Sequence, residues 1–164
     1  MPNHCHNRVS FYSDDKEKEI KKLHDIFSID LESVDEERTI FGQFIPEPHW
    51  PTTPLTEESA KGLVYDRGEV GELPVPGTHN RGSHFKSTGR GDDRWYDWRL
   101  SHWDTKWDCY DLEIDDDLPY GFEVTFNTAW APPEGICTAI REQYPDIDIQ
   151  WFYDEPGEAI AGYL

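Results

Sequence analysis

Four stretches of the chain alternate apolar and polar residues with a period of two, the pattern of strands that bury one face. They are residues 8–13, 109–115, 122–127 and 147–153. Residues 116–120 join the middle two into a predicted hairpin, and a last short strand is predicted at residues 160–164. In the first strand of this hairpin, Tyr110 is expected to face the core and Cys109 the opposite side.

Two further stretches repeat their apolar residues with the helical period. The first helix carries Ile20, Leu23 and Phe27 on one stripe, and the second begins after Pro133 and ends before Pro145. With a long insertion set aside, the order of elements is βαββαβ, the split arrangement of ferredoxin-like folds. We therefore predict an α+β protein whose antiparallel sheet carries its helices on one face.

The insertion, at about residues 40–108, follows the first helix, and residues 1–164 as a whole are predicted to form a single domain. Residues 46–91 are rich in proline and glycine, as loops are. Within them, residues 78–91 carry no carboxylate and form the one locally basic patch. This patch is interpreted either as an arm for phosphate or an acidic partner, or as a loop that covers the chain's own acidic surface.

The end of the insertion is rich in tryptophan, because residues 95–108 hold four of the seven tryptophans of the chain. The spacing places Trp95 and Trp98 on one stripe of a helix, and Trp103 and Trp107 on a neighbouring stripe. A helix that is apolar over so wide an arc is either buried or bound to a partner.

Burial is the first interpretation of these tryptophans. We expect Trp103, Trp107 and Trp130 to be buried together, because a helix with two aromatic stripes can hide them only against the sheet. Lys106 and Asp108 flank Trp107, and are interpreted as an ion pair and a turn cap that pin this segment to Trp130. The alternative is a partner-binding Trp block, made of Trp95, Trp98, Trp103, Lys106, Trp107, Asp108 and Trp130.

The chain has 34 acidic and 15 basic residues, which give a formal net charge of −19. Phosphate backbones repel such a chain, so direct binding of nucleic acid is not expected. The period of two also predicts which residues lie on the sheet face opposite the helices, called the open face below. Its expected carboxylates are Asp111, Glu113, Asp115, Glu123 and Asp148. Its other expected members are Arg8, Ser10, Tyr12, Thr125, Asn127, Gln150 and Phe152.

Three cysteines, Cys5, Cys109 and Cys137, lie far apart without a CxxC pair, which predicts reduced thiols and a cytoplasmic protein. No stretch approaches the ~20 apolar residues of a membrane span, so no membrane association is expected. The chain also lacks the motifs of a phosphate loop, a zinc protease and a serine-hydrolase elbow. We therefore expect no cofactor, and favour a protein without catalytic activity.

A transition-metal site is predicted at Pro2, Asn3 and His4. Removal of Met1 would leave a free amine, two amide nitrogens and an imidazole, a square-planar donor set for Cu(II) or Ni(II). This geometry requires an unstructured amino-terminal end, and binding there is interpreted as adventitious.

Four blocks of sequence, in order, carry a resemblance to a known family: residues 2–9, 95–108, 126–133 and 153–162. They resemble the YubB ferredoxin-like family of small proteins from bacterial plasmids and phages. Members tend to have Trp where His4 stands and Gly where Asp104 stands, and Asp is one of the few residues that tolerate a left-handed conformation in place of Gly. The resemblance implies a ferredoxin-like fold, a mobile-element origin and a bacterial host cell, but no established reaction.

These patterns together favour a protein that works by binding. The leading hypothesis is that the acidic open face imitates nucleic acid and blocks a host nucleic-acid-binding or defence protein with a basic surface. The alternatives are a regulatory or assembly adaptor that uses the Trp block, and a hydrolase with an unrecognised site. The open face could also be covered by the basic patch or used in a homodimer.

Overall fold

The computed structural model describes residues 3–30, 38–50, 63–65, 85–87 and 94–164. Contacts within the chain divide it into two compact units. One unit comprises Met1–Pro46 with Arg99–Leu164, and the other comprises Glu47–Trp98. That residues 1–164 form a single domain stays a prediction.

The described elements follow one another in the order strand, helix, insertion, hairpin, helix and strand pair. In chain order they are β1 (His4–Tyr12), α1 (Glu17–Phe27), a 3-10 helix (Phe41–Gln43), β2 (Leu63–Tyr65), β3 (Phe85–Ser87), α2 (Arg94–His102), β4 (Tyr110–Asp115), β5 (Gly121–Ala129), α3 (Glu134–Gln143), β6 (Asp148–Glu155) and β7 (Ile160–Tyr163).

The first unit is built on a five-stranded sheet with the strand order β4-β5-β1-β6-β7. All neighbouring strands are antiparallel. The four strands of the βαββαβ core lie in the ferredoxin-like order, and β7 extends the sheet beyond β6. The predicted α+β fold is confirmed, and the predicted last strand at residues 160–164 is present as β7.

The helices bury their apolar stripes on one face of this sheet. Phe27 of α1 lies 5.5 Å from Phe11 of β1 between ring centroids, and Phe11 stacks on Phe122 of β5 at 4.9 Å. Ile136 and Ile140 of α3 are fully buried. Because alternate strand residues point the same way, this apolar layer leaves the polar residues on the opposite face.

The core contains one buried polar side chain on the central strand, Asn7, whose hydrogen bonds are all within the protein. Its Nδ2 donates to Cys5 O at 3.1 Å and to Thr128 Oγ1 at 2.9 Å, and its Oδ1 accepts from Trp151 Nε1 at 3.0 Å. A buried amide is tolerated when its donors and acceptor are paired in this way. The network ties β1 to both of its neighbouring strands.

Helix α2 is shorter than the tryptophan spacing predicts, because it ends at His102 rather than continuing through Trp107. Asp104 adopts a left-handed conformation, with φ of 63°, that an α-helix cannot contain. Its Oδ2 accepts a hydrogen bond from Gly135 N at 2.8 Å, and Thr105 Oγ1 donates to Ala129 O at 3.0 Å. These bonds hold the chain against the start of α3 and the end of β5, which explains why the helical period is interrupted.

The second unit contains an antiparallel pair, β2 and β3, that the loop-like composition of the insertion did not predict. Trp50 Nε1 donates to Glu47 Oε1 at 2.8 Å, and the Trp50 ring lies edge-on to that of Trp98. Apart from the backbone of β3, the basic patch at residues 78–91 lies outside the described residues. Among the described residues, no helix is both long and apolar enough to cross a membrane.

Candidate functional site

The side chains of the open face lie in register across all five strands, and most of them are polar. One row runs from β4 to β7 through Glu113, Thr125, Arg8, Phe152 and Tyr163. The next row is Asp115, Glu123, Ser10 and Gln150. A third row contains Asn127, His6 and Asp154.

The five predicted carboxylates all lie on this face. Asp111, Glu113 and Asp115 are exposed along the edge strand β4, and Asp148 is exposed at the start of β6. Glu123 is half-buried on β5 and accepts a hydrogen bond from Ser10 Oγ at 3.0 Å.

Two of these carboxylates, Asp115 and Glu123, are direct cross-strand partners. Like charges in that position repel and destabilise a sheet. In the described part of the chain, the ion pairs found are Lys16–Asp146, Lys21–Asp25 and His24–Asp116, and none of them involves a carboxylate of the open face. Within the described residues, no cation therefore forms an ion pair with either carboxylate.

A β-bulge shapes the acidic edge strand. Tyr110 pairs with Asn127 and Glu113 pairs with Thr125, so that two residues of β4 stand opposite one residue of β5. Asp111, the first of these two, has a positive φ of 51°.

Because of this bulge, the predicted alternation is wrong for the residues of the segment before Asp111. Cys109 is buried, although it was expected on the open side, and Tyr110 reaches the open side, where its Oη lies 2.6 Å from His4 Nδ1. An inserted residue reverses the direction of every side chain before it on the strand.

A hydrogen-bonded chain that the sequence pattern did not predict crosses the open face beside the bulge. His6 Nδ1 lies 2.5 Å from Asn127 Oδ1, and Asn127 Nδ2 donates to Asp111 Oδ2 at 3.1 Å. The period of two that selected Arg8 also places His6 on this face, which is the signal that could have found it. Its polar partners depend on strand register and on the bulge, which the sequence alone does not specify.

The predicted metal site is incompletely described, because Pro2 lies outside the described residues. Asn3 O accepts from Trp130 N at 3.0 Å, and His4 begins β1 with its Nδ1 against Tyr110 Oη. A square-planar copper site would require His4 to leave this position, so the site stays a prediction that needs the end of β1 to open. The described residues contain no group of three or more His, Cys, Asp or Glu side chains arranged to hold a metal ion.

The tryptophans differ in burial, which corrects the prediction that three of them are buried together. Trp103 is fully buried, but 38% of Trp107 and 47% of Trp130 are exposed. The Trp103 ring packs edge-on against Phe41, and its Nε1 donates to Ile45 O at 3.1 Å. The turn after α2 directs only the first of these side chains into the core.

The polar members of the Trp block also act differently from the prediction. Asp108 accepts hydrogen bonds from the backbone N–H groups of Ile40 and Phe41, at 2.8 and 3.0 Å, and so holds the 3-10 helix. Burial raises the pKa of Asp108, although these hydrogen bonds oppose the increase. The Nζ of Lys106 lies 4.4 Å from the centre of the Trp107 ring, and no ion pair to Asp108 is found in the described part of the chain.

The two earlier tryptophans of the block lie on α2, and both are half-buried. Trp95 packs edge-on against Tyr96 at 5.8 Å, and Trp98 packs against Trp50 at 6.3 Å.

None of the three cysteines has the lowered pKa that is typical of a nucleophilic thiol. Burial raises the pKa of Cys5 to about 11 and also raises the pKa values of Cys109 and Cys137. All three are therefore protonated thiols near neutral pH, and thiols react far more slowly than thiolates.

Comparison with known proteins agrees with this architecture. The family model described as the ferredoxin-like domain in Api92-like protein matches residues 102–164, which contain β4 to β7 and α3. Residues 102–164 are therefore similar to this ferredoxin-like domain.

A solved structure and the curated proteins complete the comparison. The crystal structure of protein api92 from Yersinia pseudotuberculosis is similar over 99% of this chain and 93% of that chain, with 11% identity and a TM-score of 0.47. No curated protein matches the chain. The resemblance to the YubB family and the mobile-element origin are not supported by these matches and stay predictions.

Proposed function

We propose that this chain acts by binding, and that its open face occupies the basic groove with which a host nucleic-acid-binding protein holds phosphates. The proposal includes the origin that the YubB resemblance implies, a plasmid or phage in a bacterial host, and action in the cytoplasm. The Api92-like domain supplies the scaffold, since the ferredoxin-like sheet leaves one broad face without helices.

The observation that carries the proposal is the placement of Asp115 opposite Glu123. A pair of like charges in this position lowers stability by roughly 0.2–1 kcal/mol relative to a neutral pair. A partner rich in lysine and arginine would convert this repulsion into attraction. The presence of this repulsive pair is therefore explained if the open face binds a basic surface.

The spacing of the carboxylates supports the same partner. Alternate residues on a strand are about 7 Å apart, and neighbouring strands are about 5 Å apart. Asp111, Glu113 and Asp115 on β4, with Glu123 on β5, therefore form a compact patch on a rigid sheet. Basic side chains that grip successive phosphates can reach several of these carboxylates at once.

A capture experiment from a bacterial lysate tests the proposal. The parent chain is compared with a face variant that carries Asp111→Asn, Glu113→Gln, Asp115→Asn and Glu123→Gln. The matched control removes four exposed carboxylates outside this face, by Asp14→Asn, Glu17→Gln, Glu142→Gln and Glu158→Gln.

We expect the parent and the control to capture a nucleic-acid-binding protein that duplex DNA displaces and that high salt releases, because screening shortens the reach of exposed charges. The face variant should bind it more weakly by about 1–4 kcal/mol, or roughly 5- to 1000-fold, if each carboxylate contributes as a partly exposed ion pair does. Equal capture by the face variant would exclude the proposal.

The half-exposed tryptophans favour a second candidate, an adaptor that uses the Trp block. Trp107 and Trp130 lie on segments that are joined by the hydrogen bond from Thr105 to Ala129. Large exposed aromatic rings are typical of binding surfaces. A partner held there should persist at high salt and be lost from Trp107→Ala and Trp130→Ala variants that still fold.

A further inference from the structure

The chain His6–Asn127–Asp111 determines which nitrogen of His6 carries the proton. A carboxylate oxygen only accepts hydrogen bonds, so the Asn127 group that faces Asp111 is its NH₂ group. The Asn127 carbonyl oxygen consequently faces His6 and accepts from Nδ1–H at 2.5 Å. In the neutral ring, Nε2 then carries the lone pair and is an acceptor.

This acceptor is available for a ligand. In the part of the chain that the structure describes, no side chain or backbone group hydrogen-bonds to His6 Nε2. The bulge at Asp111 brings the carboxylate to the position where it orients Asn127. These hydrogen bonds therefore fix the orientation of the His6 imidazole and leave its Nε2 facing solvent.

Arg8 supplies a complementary group two residues along the same strand face. Its guanidinium lies 5.6 Å from the centre of the Phe152 ring, and within the described residues it forms no ion pair. Stacking on an aromatic ring leaves the N–H edge of a guanidinium free to bind an anion. Alternate strand positions are about 7 Å apart, so His6 and Arg8 can contact one small ligand together.

Both residues line one shallow depression of about 370 Å³. Its rim also carries the carboxylates of Asp111, Glu113 and Asp154, and Phe152 supplies an apolar wall. A simple anion would suit Arg8 but would be repelled by three carboxylates. A simple cation would suit the carboxylates but would be repelled by Arg8.

We propose that this depression binds a small zwitterion, with the free amino acids as the chemical class. The carboxylate of the ligand pairs with the Arg8 guanidinium. Its protonated amine donates to His6 Nε2 and lies among the three rim carboxylates, while an apolar side chain contacts Phe152. The argument for this site does not depend on the proposed partner binding, although Asp111 and Glu113 belong to both surfaces, so the two ligands would compete.

Ligand analogues test this proposal without any change to the protein. The full chain, labelled with ¹⁵N, is titrated with free α-amino acids and 4-aminobutyrate at about pH 8, where free imidazole is neutral. The ring nitrogens of His6 should show the Nδ1–H tautomer and respond saturably to at least one zwitterion, with a Kd of about 1 mM or tighter. The matched N-acetyl compound lacks the ammonium group and the matched amide lacks the carboxylate, and neither should saturate.

Two variants distinguish zwitterion binding at this site from a general effect of protein charge. Arg8→Gln should weaken zwitterion binding by about tenfold or more, since a charge-assisted hydrogen bond is removed, and Lys22→Gln on α1 should leave it unchanged. Arg8→Gln also makes the open face more negative, so it should preserve or tighten binding of a basic partner protein. Failure of every zwitterion to saturate, saturation by the N-acetyl compound or the amide, or an Nε2–H tautomer of His6 would overturn the proposal.

Discussion

Trp103 is the side chain on which the position of the Trp block most depends. Truncation by Trp103→Ala removes a fully buried ring, an edge-on contact with Phe41 and the hydrogen bond to Ile45 O. It also removes the ring beneath the guanidinium of Arg99, which lies 4.7 Å from the ring centre. The natural comparison is Trp107→Ala, which truncates a tryptophan on the same segment that is 38% exposed.

The expected loss for Trp103→Ala is about 3–5 kcal/mol, the range for truncating large buried aromatic residues. Of this, about 1 kcal/mol is the unpaired Ile45 carbonyl. Trp103→Phe loses the same hydrogen bond but keeps one ring of the packing, so it should cost less than Trp103→Ala. Trp107→Ala should lower the free energy of unfolding by less, about 1–2 kcal/mol, because the ring is only partly buried and loses its contacts with Tyr110 and Lys106.

Urea denaturation followed by far-ultraviolet circular dichroism measures these differences without relying on tryptophan fluorescence. The parent should be the most stable and Trp103→Ala the least stable, with Trp107→Ala and Trp103→Phe between them. A Trp103→Ala variant within about 1 kcal/mol of the parent, or a Trp107→Ala variant that is equally damaged, would refute the assignment of Trp103 to the core.

Two further predictions concern charge. The pair Asp115→Asn with Glu123→Gln should raise the free energy of unfolding by roughly 0.2–1 kcal/mol, because it relieves cross-strand repulsion. That gain should shrink in ~1 M salt, where the Debye length is about 3 Å, and a clear loss of stability in melts would contradict it. Burial raises the pKa of Asp108 above the ordinary 3.8, so the folded state binds this proton more tightly than the unfolded state. Relative to Asp108→Asn, the parent should therefore lose stability as the pH rises from 3.8 through the raised folded value, and an unchanged or opposite trend in denaturation across pH would contradict the burial of this carboxyl.

The sequence predicts the fold well because burial on one side of a strand or helix leaves a periodic pattern. Val9 and Phe11 in β1, like Ile136 and Ile140 in α3, are buried as their periods require. The same argument failed at the end of α2. The spacing of Trp103 and Trp107 is helical, but Asp104 turns the chain out of the helix through a hydrogen bond to Gly135, a partner 31 residues away.

The candidate site was predictable only in part, for a similar reason. The period of two places Glu113, Asp115 and Glu123 on the open face, but it does not show that Asp115 stands opposite Glu123. Strand register depends on contacts between distant segments. The bulge at Asp111 and the hydrogen-bonded chain to His6 both follow from that register, so neither has a local signature.

One comparison decides whether the open face binds a basic nucleic-acid-binding protein. Lysate capture with the face variant is set against capture with the control that removes four carboxylates elsewhere. We expect the control to keep a partner that DNA displaces and salt releases, and the folded face variant to lose it. Retention of the same partner by the face variant would show that the open face does not bind it and that another surface does.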